Sequence, residues 1–310
     1  MTNSVSITES FKKLKPYLVE EISPLLDARV VQVLLLRQTH DYTIFRTEGS
    51  RELNTVVVPE SISSTTPTVK VAFLASKQKA PENRMFSRLL RTVSDSECYL
   101  KGELCMECPR CVLFGAVSTK GDREYNIKHR IEYSTAFSIE RYEDLLESIT
   151  FNAVGENNQL TGQALNITHN VRPLANFPSV VSLTSVTWPE LALYIKTVLA
   201  TKSYGAETRT KGDMRNAVLG IVAGYEEIIT SLEYALELAA VWEEETYLEA
   251  KTERILRKYA ELSASRRNMI VLSADEVKQL ISEVQDMPID KDLVGSMEKQ
   301  AKAFVEKAKK

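Results

Sequence analysis

The first 75 residues contain short apolar runs with many β-branched and aromatic side chains, a pattern that is typical of β-strands. We predict strands at 29–38, 42–48, 54–58 and 69–75. The short connection between the first two strands suits a hairpin or a bulged turn. The polar stretch PESISSTTPT, which separates the last two, has the composition of a loop. This part of the chain therefore predicts a β-sheet.

Helical and strand patterns alternate over the middle of the chain. Apolar residues recur at helical spacing over 82–93, directly after Pro81. Residues 152–180 are polar and rich in Gly, Asn, Thr and Pro; since this is long for a plain loop, we predict a mobile hairpin there. The further predicted elements are a strand at 130–137, a helix at 139–149, a strand at 180–187 and a helix that the capping box of Thr187 and Glu190 opens.

The last third of the chain has only helical patterns. The predicted helices lie at 225–264, at 274–286 after the capping box of Ser273 and Glu276, and at 290–308. We therefore predict an α+β fold with two parts. Residues 1–224 would form a core with insertions, and residues 225–310 would form a helical C-terminal region packed on that core.

The composition is that of an ordinary soluble protein, since 44% of the 310 residues are hydrophobic and 26% are charged. The net charge of −3 is unevenly distributed. Glutamates concentrate in 225–262, whereas 29–130 and 196–215 are mildly basic, so a surface for a polyanion is compatible with the acidic total. The apolar runs are too short to span a bilayer and the N-terminus has no apolar h-region; we expect a cytoplasmic protein without membrane contact.

The cysteines of the chain, Cys98, Cys105, Cys108 and Cys111, lie within fourteen residues. Three of them have the spacing C-x-x-C-x-x-C, which predicts a metal site because thiolates on a tight turn can hold one zinc ion. A structural zinc site is the favoured interpretation, since four thiolates leave no coordination position open for water. An iron–sulfur cluster and a set of reduced or partly oxidised cysteines remain alternatives. His129 could replace Cys98 as the fourth ligand.

Three basic stretches could bind a phosphate backbone. The first lies on the early strands, where arginines alternate with aromatic side chains on which bases could stack. The second is the loop 203–213, SYGAETRTKGD, in which two glycines permit close backbone approach to a ligand but the order of a Walker A loop is lacking. The third flanks the cysteines. Core-facing aromatics, an ordinary turn and solvated surface charges are the plain structural alternatives. The candidate RNA-contacting residues are Arg37, Tyr42, Arg46, Arg51, Lys120, Arg123, Lys202, Tyr204, Thr208, Arg209, Thr210, Lys211 and Arg215.

Evidence for catalysis in the sequence is limited to one adjacent base–acid pair, His40 and Asp41. Such a pair could act on a scissile phosphate, but a role in a turn is the simpler interpretation. The sequence contains no HExxH motif and no recognisable Ser/His/Asp order.

The runs TIFRTEGSREL, CVLFGA at the end of the cysteine segment, and YGAETRTKGDMRN resemble the backbone subunit of type I-D CRISPR Cascade complexes, the Csc2 branch of the Cas7 group in the RAMP superfamily. The similarity covers roughly residues 28–225. It implies a modified RRM-like (ferredoxin-like) antiparallel sheet with a zinc-binding insertion at about 95–130 and a thumb hairpin at about 152–180.

The resemblance implies several partners: single-stranded guide RNA bound by its phosphates and shape, further copies of the chain along that RNA, other Cascade subunits, and target nucleic acid paired to the guide. The loop 203–213 would contact the guide. Relatives in type III complexes cut RNA with a loop aspartate, so a metal-dependent nuclease using Asp41 or His40 is an alternative. A zinc-stapled protein-interaction subunit is another.

Overall fold

The computed structural model describes residues 9–47, 50–95, 97–99, 104–118, 126–154, 161–206 and 211–309. The described residues form ten strands and nine α-helices. The strands are β1 (Val30–Thr39), β2 (Thr55–Pro59), β3 (Pro67–Phe73), β4 (Ile131–Tyr133), β5 (Ala136–Phe137), β6 (Leu146–Val154), β7 (Thr161–Val171), β8 (Asn176–Thr184), β9 (Met214–Gly224) and β10 (Met269–Val271). The helices are α1 (Glu9–Leu14), α2 (Ala75–Arg91), α3 (Pro109–Phe114), α4 (Tyr142–Leu145), α5 (Trp188–Ala200), α6 (Ser231–Ala240), α7 (Leu248–Leu262), α8 (Ala274–Asp286) and α9 (Lys291–Ala308).

A central antiparallel sheet has the strand order β10-β9-β1-β8-β4 within the described residues. Helices α2 and α5 lie between strands of this sheet in sequence, so that the order along the chain is β1, α2, β4, β8, α5 and β9, with other elements inserted. A small sheet, β2-β3-β5, and the hairpin β6-β7 lie between these elements in sequence. The prediction of an α+β fold with antiparallel sheets is confirmed.

Helices cover both faces of the central sheet, and the alternation of side chains along β1 decides which residue meets which layer. Val31, Val33 and Leu35 lie in a core with residues of α2, α5 and α8. Leu34 lies in a second core with residues of α6 and α7. The buried amide of Gln32 joins this second layer to the sheet, because it donates to the Ile229 carbonyl and accepts from the backbone at 228–229.

Two predicted elements of the first half are wrong. Residues 42–48 form no strand in their described part, because successive residues bond to different partners: Thr43 bridges Val171, and the Ile44 carbonyl accepts from Ala206. The predicted helix at 139–149 is one turn, α4, after which Leu146 starts β6. Pairing of β6 with β7 overrides the local helical pattern.

Several predicted boundaries also change. Helix α2 begins at Ala75 and contains Pro81, whereas the sequence predicted a start after that proline. The predicted strand at 130–137 is divided into β4 and β5, which belong to different sheets. The predicted helix at 225–264 is divided into α6 and α7. A single helix of that length would extend about 60 Å, too far to keep its apolar side on one sheet.

The C-terminal region contains one strand that the helical pattern did not predict. Strand β10 pairs antiparallel with the end of β9, with Met269 opposite Gly224 and Val271 opposite Val222. The capping boxes of Thr187–Glu190 and Ser273–Glu276 are both present, and a third at Thr230–Glu233 begins α6. Among the helices of the described residues, none is long and apolar enough to cross a membrane.

Candidate nucleic-acid interface and cysteine cluster

The end of β1 and the start of β9 form an open, polar part of the central sheet. In register, Gln38 lies between Arg215 and Asn176. The Gln38 amide donates to Asn176 Oδ1 at 3.0 Å, and His40 Nε2 lies 3.0 Å from Gln38 Oε1. Arg215 and His40 are exposed. The helices α6 and α7 cover the other end of this face, so this end is the part of the sheet that a ligand can reach.

The loop 203–213 lies at this open end of the sheet. The residues at its two ends, 203–206 and 211–213, pair with each other and form the loop neck. Ser203 bridges Asp213, the Tyr204 amide donates to the Gly212 carbonyl at 3.1 Å, and the Met214 amide donates to the Lys202 carbonyl at 2.8 Å. These bonds hold the two strands of the neck together. Residues 207–210, which include the predicted Thr208, Arg209 and Thr210, lie outside the described residues.

Two glycines permit this neck. Gly212 has φ +59°, and a Cβ there would overlap the Tyr204 carbonyl. Gly205 has φ +94°, and a Cβ there would lie 3.0 Å from the Ile44 carbonyl oxygen. Both conformations are accessible to glycine at low cost. The neck also docks on the segment after β1, since the His40 amide donates to the Asp213 carbonyl at 2.7 Å.

Exposed cations surround the neck. Lys202, Lys211 and Arg215 all present their side chains to solvent. Lys211 forms an ion pair with Asp213 at 2.7 Å, but the Lys211 side chain is 64% exposed, so this pair is weak and exchangeable. Arg51 is exposed and Arg46 is half-buried. The predicted Lys120 and Arg123 lie outside the described residues.

Arg37 was predicted to contact RNA, but the structure buries it completely. Its guanidinium pairs with the equally buried Glu82 of α2 and donates from Nε to Ser179 Oγ at 2.8 Å. Burial lowers the pKa of Arg37, but the Glu82 carboxylate outweighs it, so the pKa is raised and the side chain stays charged. Arg37 is therefore an internal counter-ion and is not available to a surface phosphate.

Tyr204 was also predicted to contact RNA, and it too is buried. Its hydroxyl donates to Glu82 Oε1 at 2.8 Å and accepts from Asn216 Nδ2 at 2.8 Å. Tyr133 donates to the other oxygen of Glu82 at 2.8 Å. Burial, and then the charge of Glu82, raise the pKa values of Tyr133 and Tyr204 well above the ordinary value. Tyr204 thus fixes the loop neck to the core.

Tyr42 lies at the surface and stays available for the predicted contact. Its side chain is 37% exposed, whereas Phe45 is buried and stacks on Phe73 with ring centroids 4.2 Å apart. Asp41 Oδ1 accepts from the Tyr42 amide at 2.8 Å, which is a local turn contact. His40 instead contacts Gln38, which lies in a polar row across the sheet with Asn176 and Arg215.

The hairpin β6-β7 lies next to this surface, because Val171 at the end of β7 bridges Thr43. The hairpin predicted at 152–180 therefore begins earlier, at Leu146, and ends earlier, at Val171. Residues 155–160, between the two strands, lie outside the described residues. Exposed Arg172 follows the hairpin and pairs with Glu147 at 2.8 Å.

The structure brings the four cysteines together. Their sulfurs all lie within 4.8 Å of one another, and Cys111 Sγ is 3.6 Å from that of Cys98 and 3.9 Å from that of Cys105. A tetrahedral ion with Zn–S bonds of about 2.3 Å places its sulfurs about 3.8 Å apart, so the donor set fits zinc. His129 lies outside this group and faces Glu132 at 3.6 Å. The fourth member of the cluster is therefore Cys98 and not His129.

A buried cation lies beside the cysteines and could balance the negative charge of thiolates. Arg110 is buried, and its Nη1 lies 3.8 Å from Cys111 Sγ and 3.1 Å from the Gly115 carbonyl oxygen. Hydrogen bonds among the thiols lower the pKa of Cys105 to about 6, and raise the pKa of Cys108. A bound cation would replace the protons of these thiols.

The cysteine cluster is joined to the rest of the chain by α9 and by Arg130. Phe304 and Val305 of α9 pack in the same apolar group as the cysteines. Arg130 is buried, pairs with Glu190 at the start of α5, and donates to the Val112 carbonyl of α3 at 3.0 Å. The framework of the site also includes buried charged residues that the sequence did not predict for it: Glu82, Arg110, Arg130 and Glu190.

One signal could have corrected the prediction for Arg37. Arg37 lies an even number of residues from Val31, Val33 and Leu35, so its side chain is on the same face of the strand. Those three residues are apolar, which indicates that this face is buried. Gln38 and His40 lie on the opposite face, where the polar row is found.

Comparison with known proteins comes from families and from solved structures. A crystal structure of Thermofilum pendens Csc2 has 21% sequence identity, covers 96% of each chain and gives a TM-score of 0.67. A chain of a CRISPR RNA-guided surveillance complex has 13% identity, covers 88% of this chain and 99% of its own, and gives a TM-score of 0.53. These two likenesses show a common fold. The comparison with curated proteins gave no significant match. The profile of the family described as Csc2 CRISPR matches residues 17–308, and the chain therefore belongs to the Csc2 CRISPR family.

Proposed function

We propose that this protein is the guide-RNA-binding backbone subunit of a type I-D CRISPR Cascade complex. The observation that carries the proposal is the family match over residues 17–308. The fold shared with a chain of an RNA-guided surveillance complex supports it. Such a subunit would act in the cytoplasm, where several copies would assemble along one guide with other Cascade subunits, and the guide would pair with target nucleic acid.

The open end of the central sheet is the proposed RNA surface, and the sheet is the proposed RRM-like core. Lys202, Lys211 and Arg215 supply exposed cations around a neck whose glycines keep the backbone close to the sheet. Arg209, with Thr208 and Thr210, would add donors beyond the neck. Phosphates attract all these groups whatever the base, so the surface would bind by charge and shape.

Further predicted residues and the hairpin would extend this surface. Half-exposed Tyr42 offers a ring for stacking on a base. Arg46 and Arg51 lie on the segment after Tyr42, and Lys120 and Arg123 follow the cysteines in sequence. The hairpin β6-β7, which adjoins this end of the molecule through Val171, is the proposed thumb that would displace guide nucleotides at intervals.

Zinc is the proposed cofactor, held by Cys98, Cys105, Cys108 and Cys111. Four thiolates would fill its coordination sphere, so the ion would supply stability and no chemistry. We propose a binding role without catalysis. A cleavage assay on labelled single strands with magnesium or manganese, comparing wild type with Asp41→Ala, distinguishes this from a nuclease: cutting that Asp41→Ala abolishes would contradict it.

Loss of loop cations tests the RNA surface directly. The variant Arg209→Ala/Lys211→Ala should bind single-stranded RNA more weakly, and to the same extent for unrelated sequences. The slope of log Kd against log salt concentration should fall by about 1.4, since each contact with a single strand contributes about 0.7.

A matched control removes two cations elsewhere. Arg266 and Arg267 are exposed and precede β10, which pairs with the far end of β9. That end lies about 30 Å from the loop neck, given a rise of about 3.3 Å for each residue of β9. Arg266→Ala/Arg267→Ala should leave RNA affinity nearly unchanged. Equal losses in the two double variants would contradict a localised surface.

A further inference from the structure

Tyr204 connects the proposed RNA-binding loop to a buried charged network. The residue lies in the loop neck, directly before Gly205, yet its side chain is only 4% exposed. Its hydroxyl donates to Glu82 Oε1 at 2.8 Å and accepts from Asn216 Nδ2 at 2.8 Å. Its ring also lies edge-to-face with Phe73, with centroids 5.7 Å apart. These contacts fix one side of the neck in three dimensions.

The acceptor of this hydrogen bond is itself immobilised. Glu82 has no exposed side-chain surface, and it is held by the buried Arg37 of β1. Tyr133 of β4 donates to its second oxygen at 2.8 Å, and Tyr194 of α5 lies 3.5 Å from that oxygen. Since these groups come from three further elements of the central layer, Glu82 offers the loop a fixed reference point.

The neck transmits this position to the cations. The Tyr204 amide bonds to the Gly212 carbonyl at 3.1 Å, so a displacement of Tyr204 displaces Gly212. Gly212 is flanked by Lys211 and by Asp213, and the Asp213 carbonyl accepts from the His40 amide at the end of β1. No spare space exists between the strands of the neck, because a Cβ at Gly212 would overlap the Tyr204 carbonyl.

We propose that the hydrogen bond from Tyr204 to Glu82 is a latch that holds the loop neck, residues 203–206 and 211–213, in its RNA-binding position. Tyr204 would be a positioning residue: it would not touch RNA, but would set where Lys211 meets the phosphates. This inference rests on the proposed RNA-binding function. Without the latch, a smaller fraction of molecules has the loop in the competent position, and the apparent affinity falls by that fraction.

Tyr204→Phe is the variant that removes the latch and keeps the ring. It should weaken binding of a single-stranded oligoribonucleotide by roughly fivefold, the factor that a net hydrogen bond of ordinary strength gives. Tyr133→Phe is the matched control, because it removes an equally short hydrogen bond to the same carboxylate from β4, outside the loop. The control should lower the thermal midpoint as well, but should cost much less RNA affinity than Tyr204→Phe, because Arg37 still holds Glu82 and Tyr204 still donates to it.

A double-mutant cycle separates positioning from general loss of stability. Tyr204→Phe is combined with Arg209→Ala/Lys211→Ala. In that background, which lacks the loop cations, Tyr204→Phe should still lower the thermal midpoint but should cost no further RNA affinity. Hydrogen exchange of the Tyr204 and Met214 amides gives a readout without RNA; it should accelerate much more in Tyr204→Phe than in Tyr133→Phe.

The possible results distinguish this inference from the function beneath it. If wild type binds RNA and Tyr204→Phe binds equally well, or if Tyr133→Phe loses as much affinity, the latch is overturned and the RNA-binding function stands. If Tyr204→Phe costs the same affinity with and without the loop cations, Tyr204 does not act through them and the latch is also overturned. If wild type itself fails to bind, both proposals fall.

Discussion

The buried pair of Arg37 and Glu82 shows how one residue can be mistaken for a ligand contact. An arginine on a strand near other cations resembles part of a phosphate-binding surface, but here it balances a carboxylate that also accepts from tyrosines. Removing one partner of a buried pair leaves an uncompensated charge, which costs much more than a lost surface contact. The pair therefore belongs to the stability of the core.

Arg37→Met should reduce the free energy of unfolding by about 3–5 kcal/mol, measured by denaturant titration, because it leaves Glu82 buried and unpaired. Arg141→Met is the comparison. Arg141 pairs with Glu60 at 2.5 Å, but both side chains are nearly half exposed, so its loss should barely change stability. Similar stability for the two variants would contradict the assignment of Arg37 to the core.

Arg110 has a different role, as the buried cation nearest to the cysteines. A zinc ion bound by all four thiolates would give the site two net negative charges, and Arg110 Nη1 lies 3.8 Å from Cys111 Sγ. Arg110→Gln should weaken zinc binding by about 10–100-fold, as loss of a group that contacts a ligand typically does. Competition with a chelator measures this. The Arg110→Lys variant keeps the charge and should bind zinc more tightly than the Arg110→Gln variant. Weaker zinc binding by Arg110→Lys than by Arg110→Gln would contradict a charge effect.

At the scale of elements, the loop neck depends on glycine. Gly212→Ala should destabilise the protein by about 2 kcal/mol or more, since it forces alanine into a left-handed conformation and into the Tyr204 carbonyl. It should weaken RNA binding as well. Gly295→Ala in α9 is the control, because a Cβ there has no heavy atom within 4 Å. It should stabilise the helix by about 0.5–1 kcal/mol. Denaturant titration of both variants measures these changes. An unchanged free energy of unfolding in Gly212→Ala would contradict the close packing described for the loop neck.

The elements that the sequence predicted well are those in which local and long-range preferences agree. Strands β1 to β3 lie within two residues of their predicted bounds, and the capping boxes of Thr187 and Ser273 begin α5 and α8 as predicted. Failures occur where a distant partner decides. Residues 146–149 pair with β7 despite a helical pattern, and β10 is too short to be recognised without β9 beside it.

The candidate site was predictable in part for the same reason. Cysteine spacing is local, so the four-sulfur group could be predicted, although the choice of Cys98 over His129 needed three dimensions. Lys202, Lys211 and Arg215 are exposed, so their predicted contact with RNA stays a prediction that the structure permits. Burial of Arg37 and Tyr204 depends on Glu82, which is distant from both in sequence and gave no signal as their partner.

At the scale of the whole molecule, the C-terminal helix α9 couples the cysteine cluster to the main core. Phe304 and Val305 pack among the cysteines, while Val294 and Met297 at the other end of α9 pack on the main core. If the cluster holds zinc, chelation should lower the thermal midpoint and accelerate hydrogen exchange in α3 and the second half of α9. Exchange in α8, which packs on the main core, should change little. Unchanged exchange in α9 after metal removal would contradict this coupling.

The central claim is that a charged end of the sheet binds a polynucleotide through its sugar–phosphate chain. The most direct test is the Kd of the purified protein for two single-stranded RNAs of equal length and unrelated sequence, measured over a series of salt concentrations. We predict similar Kd values for the two RNAs and a linear weakening of log Kd with log salt concentration. A strong preference for one sequence, or no association with either RNA at low salt, would contradict the claim.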